Sequence, residues 1–302
     1  MQSANEQNNA MRPPAASQKT SRASVGLRWL TALILIPIVL LLALLGGWWS
    51  FAGLTLVMVL CTFELHAMML HTGHRPLLWM SLAISTIFLL TAVLPSWRWN
   101  LLEFGLGGAL LLSFAWLMVR KNLEGAVIDW ALTLASPLYI GWSLSYMLLI
   151  RGFEPSFSLA NGFSFSLPRG MLWLLVTLLG VWGFDSAAFF CGRYLGRHKL
   201  APRISPAKTW EGTLGGLVLS IAASLLITVG PLGVPWYLAV LLGVLIGAAA
   251  TLGDLAESLL KRQTHVKDSG QIMPGHGGML DRVDSLMFVS IIVYLFAQLL
   301  GK

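Results

Sequence analysis

Long apolar segments alternate with short polar stretches along the whole chain. Nine segments approach or exceed the about 20 residues that a helix needs to cross the hydrocarbon core of a bilayer. They lie at residues 29–46, 48–70, 77–95, 101–119, 130–150, 171–192, 212–230, 235–260 and 283–300. Only Gly46 and Gly47 separate the first two, which together are too long for one crossing. The pattern predicts an all-α, polytopic integral membrane protein with about nine transmembrane helices.

Composition agrees with this fold class and suggests how the chain is divided. Of the 302 residues, 56% are hydrophobic and 11% are charged, whereas soluble domains carry roughly 25% charged residues. Residues 1–27 are polar and rich in Pro, Ser and Asn, which predicts a disordered cytoplasmic tail. Residues 28–302 are expected to form a single transmembrane domain, with N-terminal helices at about 28–150 and further helices and charged loops at about 171–302.

The basic residues predict the orientation of the chain. With the N-terminus in the cytoplasm, sixteen of the twenty Lys and Arg residues fall on the cytoplasmic side, and the exceptions are Arg98, Arg151, Arg169 and Lys302. This positive-inside bias predicts that loops 193–211 and 261–282 face the cytoplasm. The net charge of +7 does not indicate a nucleic-acid partner, because the basic residues lie between apolar segments and form no contiguous basic domain.

Residues 254–284 concentrate most of the candidate chemistry. They contain five carboxylates, four basic side chains and two histidines, and such groups are costly beside hydrocarbon unless they are paired, hydrated or bound. On a helix, Asp254, Glu257 and Lys261 share one face, and Asp281 and Asp284 open the last apolar segment. Carboxylates without nearby cysteines favour a hard cation such as Mg²⁺, which binds a few carboxylates together with substrate phosphates. The alternative is a salt-bridged loop that caps two helices.

Two other polar regions precede this run. Lys208 and Thr209 resemble the end of a Walker A loop, but the required glycines are missing and no strand is predicted before them, so this is not a P-loop. They still suit a phosphate, because the N-terminus of a helix follows. Asp185 lies within an apolar segment, where an acid is expensive and functional by default; the alternative is that it pairs with Arg193. Glu64 is a further polar intrusion with no assigned role beyond a helix–helix hydrogen bond.

The C-terminal motif resembles a known family. The sequence Ser-Leu-Leu-Lys-Arg from Ser258, Lys-Asp-Ser-Gly from Lys267, and Pro-Gly-His-Gly-Gly-Met-Leu-Asp-Arg-Val-Asp from Pro274 is similar to the signature of the phosphatidate cytidylyltransferases, or CDP-diacylglycerol synthases. The loop from Ser205 and the stretch from Asp185 resemble further segments of that family. The resemblance implies that CTP and phosphatidic acid form CDP-diacylglycerol and pyrophosphate in phospholipid biosynthesis. It also implies Mg²⁺, with K⁺ as a second cation, a homodimer, and a bacterial inner membrane.

Residue roles follow as a hypothesis. The catalytic candidates are Asp254, Lys267, Asp268, His276 and Asp281. The candidates for binding the triphosphate and the lipid phosphate are Arg193, Ser205, Lys208, Thr209, Lys261, Arg262, Gly277, Gly278 and Arg282. The metal candidates are Asp185, Asp254, Asp281 and Asp284. His276 lies in a glycine-rich turn that could form an anion-binding nest, although a lone histidine is more often structural.

Two other functions fit the same pattern less well. One is a different polytopic lipid-phosphate transferase or kinase that uses another nucleotide. The other is a cation-coupled transporter, whose acids should lie near the midplane of the membrane on discontinuous helices. Here most of the acids lie at one border, among cations suited to phosphate.

Overall fold

The structure, a computed structural model, describes residues 33–152, 156–158, 166–270 and 277–301. The described residues form nine helices, which coincide with the nine predicted segments and confirm the all-α fold class. They are α1 Leu33–Leu45, α2 Gly47–His71, α3 Leu78–Val93, α4 Pro95–Val119, α5 Ala126–Arg151, α6 Arg169–Leu195, α7 Trp210–Thr228, α8 Trp236–Gln263 and α9 Leu280–Leu299. The predicted tail at 1–27 lies outside the described residues, as do Lys302 and His276.

Six of these helices could cross a membrane by length and composition. They are α2, α4, α5, α6, α7 and α8, while α1 and α3 are apolar but shorter. Large apolar side chains are exposed along several helices, for example Leu111 on α4 and Leu226 on α7. Such surfaces suit contact with lipid. The fold is therefore that of a polytopic membrane protein, and the number of nine crossings remains a prediction.

Two short antiparallel hairpins interrupt the helices. Ser156–Ser158 (β1) pairs with Ser166–Pro168 (β2), and Lys199–Ala201 (β3) pairs with Ser205–Thr209 (β4). The expectation that no strand precedes α7 is wrong, because β4 carries Lys208 and leads directly into that helix. Thr209 has extended backbone angles, and its Oγ1 accepts a hydrogen bond from Gly212 N at 3.2 Å. A helix start is thus joined rigidly to a strand.

The last helices pack through small residues and hydroxyl groups. A Cβ atom on Gly243 of α8 would collide with the backbone of Ile221 on α7. Ser220 Oγ donates to Gly243 O at 2.9 Å, and Ser224 Oγ donates to Ala239 O at 2.7 Å. Close backbone approach and hydrogen bonds between helices replace the hydrophobic effect as the packing force in lipid. This packing fixes the relative positions of the polar helix ends.

The boundary between α1 and α2 confirms that they are separate helices. Gly46 has a φ of +66°, a backbone conformation that is strained for residues other than glycine. Arg151 at the end of α5 donates from Nε to Ala43 O at 2.6 Å and from Nη2 to Leu44 O at 3.0 Å. The guanidinium group therefore satisfies carbonyl groups that the end of α1 leaves without helical partners.

Candidate active site

One large cavity lies where the ends of α6, α8 and α9 meet β4 and the start of α7. Its volume is about 1350 Å³, and it is open to the outside. Most of the predicted site residues line it: Asp185, Arg193, Lys208, Thr209, Asp254, Lys261, Lys267, Asp268, Gly277, Asp281, Arg282 and Asp284. Residues that are about 100 positions apart in the sequence are thus brought into one site.

Lys208 and Asp254 form an ion pair at this cavity. The ammonium group of Lys208 on β4 lies 2.6 Å from Oδ2 of Asp254 on α8. Ser258, one turn further along α8, donates from Oγ to Asp254 Oδ1 at 3.3 Å. The carboxylate predicted to bind metal is thus adjacent to the lysine predicted to bind phosphate.

Lys261 joins two acidic side chains from different helices. Its Nζ lies 2.6 Å from Glu257 Oε2 and 2.7 Å from Asp281 Oδ1. Glu257 is only 1% exposed, and within the described residues its Oε1 has no hydrogen-bond partner. Glu257 lines the cavity but is absent from the predicted site residues. Its position on the face that Asp254 and Lys261 share was the signal that could have identified it.

Asp281 is held by the backbone as well as by Lys261. Its Oδ2 accepts hydrogen bonds from Gly278 N at 2.9 Å and from Ser269 N at 3.2 Å. Gly277 has a φ of +80°, and a Cβ atom there would lie 2.7 Å from the same oxygen. The amide of Gly278, predicted to contact substrate, donates to a carboxylate instead. The backbone amides of Ser269 and Gly278 therefore orient Asp281.

Glu64 is a buried part of the same arrangement, although it does not line the cavity. It is 3% exposed and reaches from α2 to the start of α9. Its Oε1 accepts from Met279 N at 2.8 Å, and its Oε2 accepts from Leu280 N at 2.8 Å and from Ser269 Oγ at 3.0 Å. An acid in an apolar helix is visible in the sequence, but its partners, more than 200 residues away, are not.

The carboxylates around the cavity suit a cation. Asp185, Asp254 and Asp284 line this cavity together with Lys208 and Arg282. Only oxygen atoms are offered, which favours a hard ion. Among the described residues, no group of three or more His, Cys, Asp or Glu side chains could by itself hold a metal ion. A cation bound here would therefore take some ligands from substrate phosphates, as Mg²⁺ commonly does.

Some predicted site residues lie elsewhere. Arg262 Nε donates to Ile204 O at 3.2 Å and so braces the β3–β4 hairpin. Ser205 pairs with Ala201 within that hairpin, and neither Arg262, Ser205 nor Gly278 lines the cavity. His276 falls outside the described residues, so its catalytic role stays a prediction.

Glu211, an acid in the first turn of α7, contacts the turn before β3. Its carboxylate accepts from the backbone amides of Arg197 at 3.1 Å and His198 at 3.2 Å, and lies 2.6 Å from Nδ1 of His198. It therefore holds the chain between α6 and the hairpin in place. The hairpin in turn presents Lys208 to the cavity.

Comparison with known proteins identifies the family of the chain. Residues 26–300 match the Cytidylyltransferase family. A phosphatidate cytidylyltransferase of Synechocystis is 36% identical over 297 residues, which cover 90% of this chain and 96% of the relative. Proteins of the same name from Brucella suis and Bacillus subtilis are 40% and 36% identical, over 56% and 66% of this chain and 57% and 68% of their own lengths.

Proposed function

The chain belongs to the cytidylyltransferase family, and from that premise we propose that it condenses CTP with phosphatidic acid to give CDP-diacylglycerol and pyrophosphate. This is a nucleotidyltransferase reaction of phospholipid biosynthesis. The observation that carries the proposal is a single cavity at the ends of apolar helices, lined by both carboxylates and cations. Such a site can hold a nucleoside triphosphate and a lipid phosphate together.

The reaction requires positioning and charge neutralisation more than covalent help. A phosphate oxygen of phosphatidic acid attacks the α-phosphorus of CTP, and the bond from that phosphorus to the β-bridging oxygen breaks. The attacking oxygen is already anionic at neutral pH, so no side chain needs to remove a proton. Lys208, Lys267 and Arg282 line the cavity and would offset the negative charge of the two substrates. Arg193 would bind the lipid phosphate or the departing pyrophosphate.

We assign the metal site to the acidic wall of the same cavity. Asp254 and Asp281 would hold Mg²⁺, with Asp284 and Asp185 beside it and K⁺ as a second cation. The oxygen-only donor set and the presence of Asp185, Asp254 and Asp284 in the lining of one cavity support this assignment. When bound, Mg²⁺ neutralises phosphate charge and aligns the triphosphate. Lys261 keeps Asp281 in place through its contact with Oδ1.

The proposed location follows from the two substrates. CTP is dissolved in the cytosol and the acyl chains of phosphatidic acid lie in the bilayer, so the cavity should open at the cytoplasmic border. The positive-inside bias of the loops supports that orientation. We accordingly propose a multi-pass protein of the bacterial inner membrane that functions as a homodimer.

The decisive experiment measures pyrophosphate release by the purified protein in mixed micelles. Phosphatidic acid, CTP and Mg²⁺ together should give pyrophosphate and a CDP-lipid in equal amounts, and omission of any one should stop the reaction. ATP, GTP and UTP, tested in place of CTP, identify a transferase with another nucleotide. Ion flux in proteoliposomes without pyrophosphate release would favour the transporter instead.

A further inference from the structure

Glu64 does not line the cavity, yet it contacts Ser269 and the start of α9, the two pieces of chain that flank the carboxylate of Asp281. We propose that Glu64 is a positioning residue for the transfer reaction: it fixes Ser269 and the first turn of α9, and through them the carboxylate of Asp281. This inference rests on the proposed function. Glu64 itself touches neither substrate nor metal in this scheme.

The argument begins with two carboxylates that hold the same two pieces of chain. Asp281 Oδ2 accepts from Ser269 N in one piece and from Gly278 N in the other. Glu64 accepts from the hydroxyl of the same Ser269 and from the amides of Met279 and Leu280, which directly follow Gly278. Movement of Glu64 would therefore displace both amides that orient Asp281.

The surroundings of Glu64 leave it little freedom. Gly270 and Gly278 approach so closely that a Cβ atom on either would lie 2.5 Å from a carboxylate oxygen of Glu64. Two of its three hydrogen bonds come from amides at the start of α9, which have no partners within the helix. A negative charge is also stabilised at the positive end of a helix. Close packing thus restricts the movement of the Glu64 carboxylate, and the first amides of α9 require it as their hydrogen-bond acceptor.

A carboxylate suits this position better than an amide. Both oxygens of Glu64 accept hydrogen bonds, and all three partners are donors. A glutamine would place its NH₂ group against at least one N–H or O–H donor, and an unsatisfied buried donor costs about 1–3 kcal/mol. The N-terminal helices therefore supply more than a scaffold, because one of their side chains sets the geometry of the catalytic half.

The test compares Glu64→Ala, Glu64→Gln and Ser269→Ala with a control on the same helix, Thr62→Val. Thr62 is buried, and its hydroxyl donates within α2 to Met58 O at 2.7 Å, so its loss removes none of the hydrogen bonds between Glu64 and the chain around Asp281. For each folded, monodisperse protein, kcat and the KM values for CTP and phosphatidic acid are measured, together with thermal unfolding. The double variant Glu64→Ala/Ser269→Ala completes a double-mutant cycle, which measures the coupling between the two side chains.

We expect Glu64→Ala to lower kcat about 10–100-fold, the range seen when residues that orient metal ligands are removed. Glu64→Gln should fall between it and the wild type, and Ser269→Ala should show a smaller loss. KM for phosphatidic acid should stay unchanged in all of them. The double variant should be no slower than Glu64→Ala alone, because the Ser269 hydroxyl has then already lost its acceptor.

Three results would overturn the inference while the wild type remains active. The first is a wild-type kcat in Glu64→Ala. The second is a fall in kcat of the double variant that equals the product of the two single-variant falls. The third is a fall in kcat of Thr62→Val as large as that of Glu64→Ala. If Glu64→Ala does not fold, an unchanged kcat in Ser269→Ala also contradicts the proposal. An inactive wild type would instead refute the proposed function, so the two failures are distinguishable.

Discussion

The Nζ atom of Lys208 lies 2.6 Å from Oδ2 of Asp254, which joins strand β4 to helix α8 at the cavity. The two side chains are 19% and 38% exposed, and ion pairs with this much solvent contact contribute only about 0–1 kcal/mol to stability. The ion pair therefore contributes little to stability, and its position at the cavity is better explained by a role in the proposed reaction. A substrate phosphate could bind Lys208, and a cation could bind Asp254, with little loss of stability.

This contact predicts that Lys208→Met impairs activity far more than stability. Loss of one preorganised charged donor should lower kcat/KM for CTP about 10²-fold, while the unfolding free energy changes by less than about 1 kcal/mol. Steady-state pyrophosphate release and thermal unfolding check the two parts. Lys199→Met, an exposed lysine on the neighbouring strand β3, is the control and should behave like the wild type.

Asp281→Asn is expected to abolish Mg²⁺-dependent activity while the protein still inserts into the membrane. The substitution removes the charge that Lys261 and the proposed metal require, and its amide group cannot accept from Lys261, Gly278 and Ser269 together. Activity is measured in membranes with equal amounts of each variant, beside the exposed control Glu124→Gln. Near-normal turnover in Asp281→Asn would refute the metal assignment.

Lys261 and Arg262 are neighbours in sequence but make different contacts. Their substitution is therefore expected to change stability by different amounts. Lys261→Met leaves the 1% exposed Glu257 without its cation, and breaking a buried pair costs about 3–5 kcal/mol. Lys261→Met/Glu257→Gln should regain much of that stability without regaining activity. Arg262→Met loses only an exposed contact to Ile204 O, so the stability of this variant should change little. Chemical unfolding in detergent measures the stability of both single variants. Equal losses of stability in Lys261→Met and Arg262→Met would contradict the assignment of the buried contact to Lys261.

Gly277→Ala should impair catalysis because of a contact rather than backbone strain alone. Gly277 and Gly73 have similar φ angles, +80° and +84°, but only at Gly277 would a Cβ atom meet another group, Asp281 Oδ2 at 2.7 Å. Both alanine variants should lose about 1–2 kcal/mol of stability from the left-handed conformation. Only Gly277→Ala should also lower kcat. A comparable fall in Gly73→Ala would show that strain by itself explains the effect.

The helical fold was readable from the sequence because apolar length and helix periodicity are local properties. All nine predicted segments form helices, and the break at Gly46 is where it was expected. The β3–β4 hairpin was missed because it is short and its pairing depends on the neighbouring helix ends. The prediction that no strand precedes Lys208 failed for that reason.

The sequence by itself determined the kind of chemistry, through the residue types that stand beside apolar segments, such as Asp254, Lys261 and Asp281. It also determined most of the cavity lining. The partners of these residues were decided only by the tertiary structure. Glu64 reaches Leu280 across 216 positions, Glu257 shares Lys261 with Asp281, and Arg262 turns towards the hairpin. The reason is that periodicity fixes which side of a helix a residue occupies, whereas helix packing fixes what that side meets.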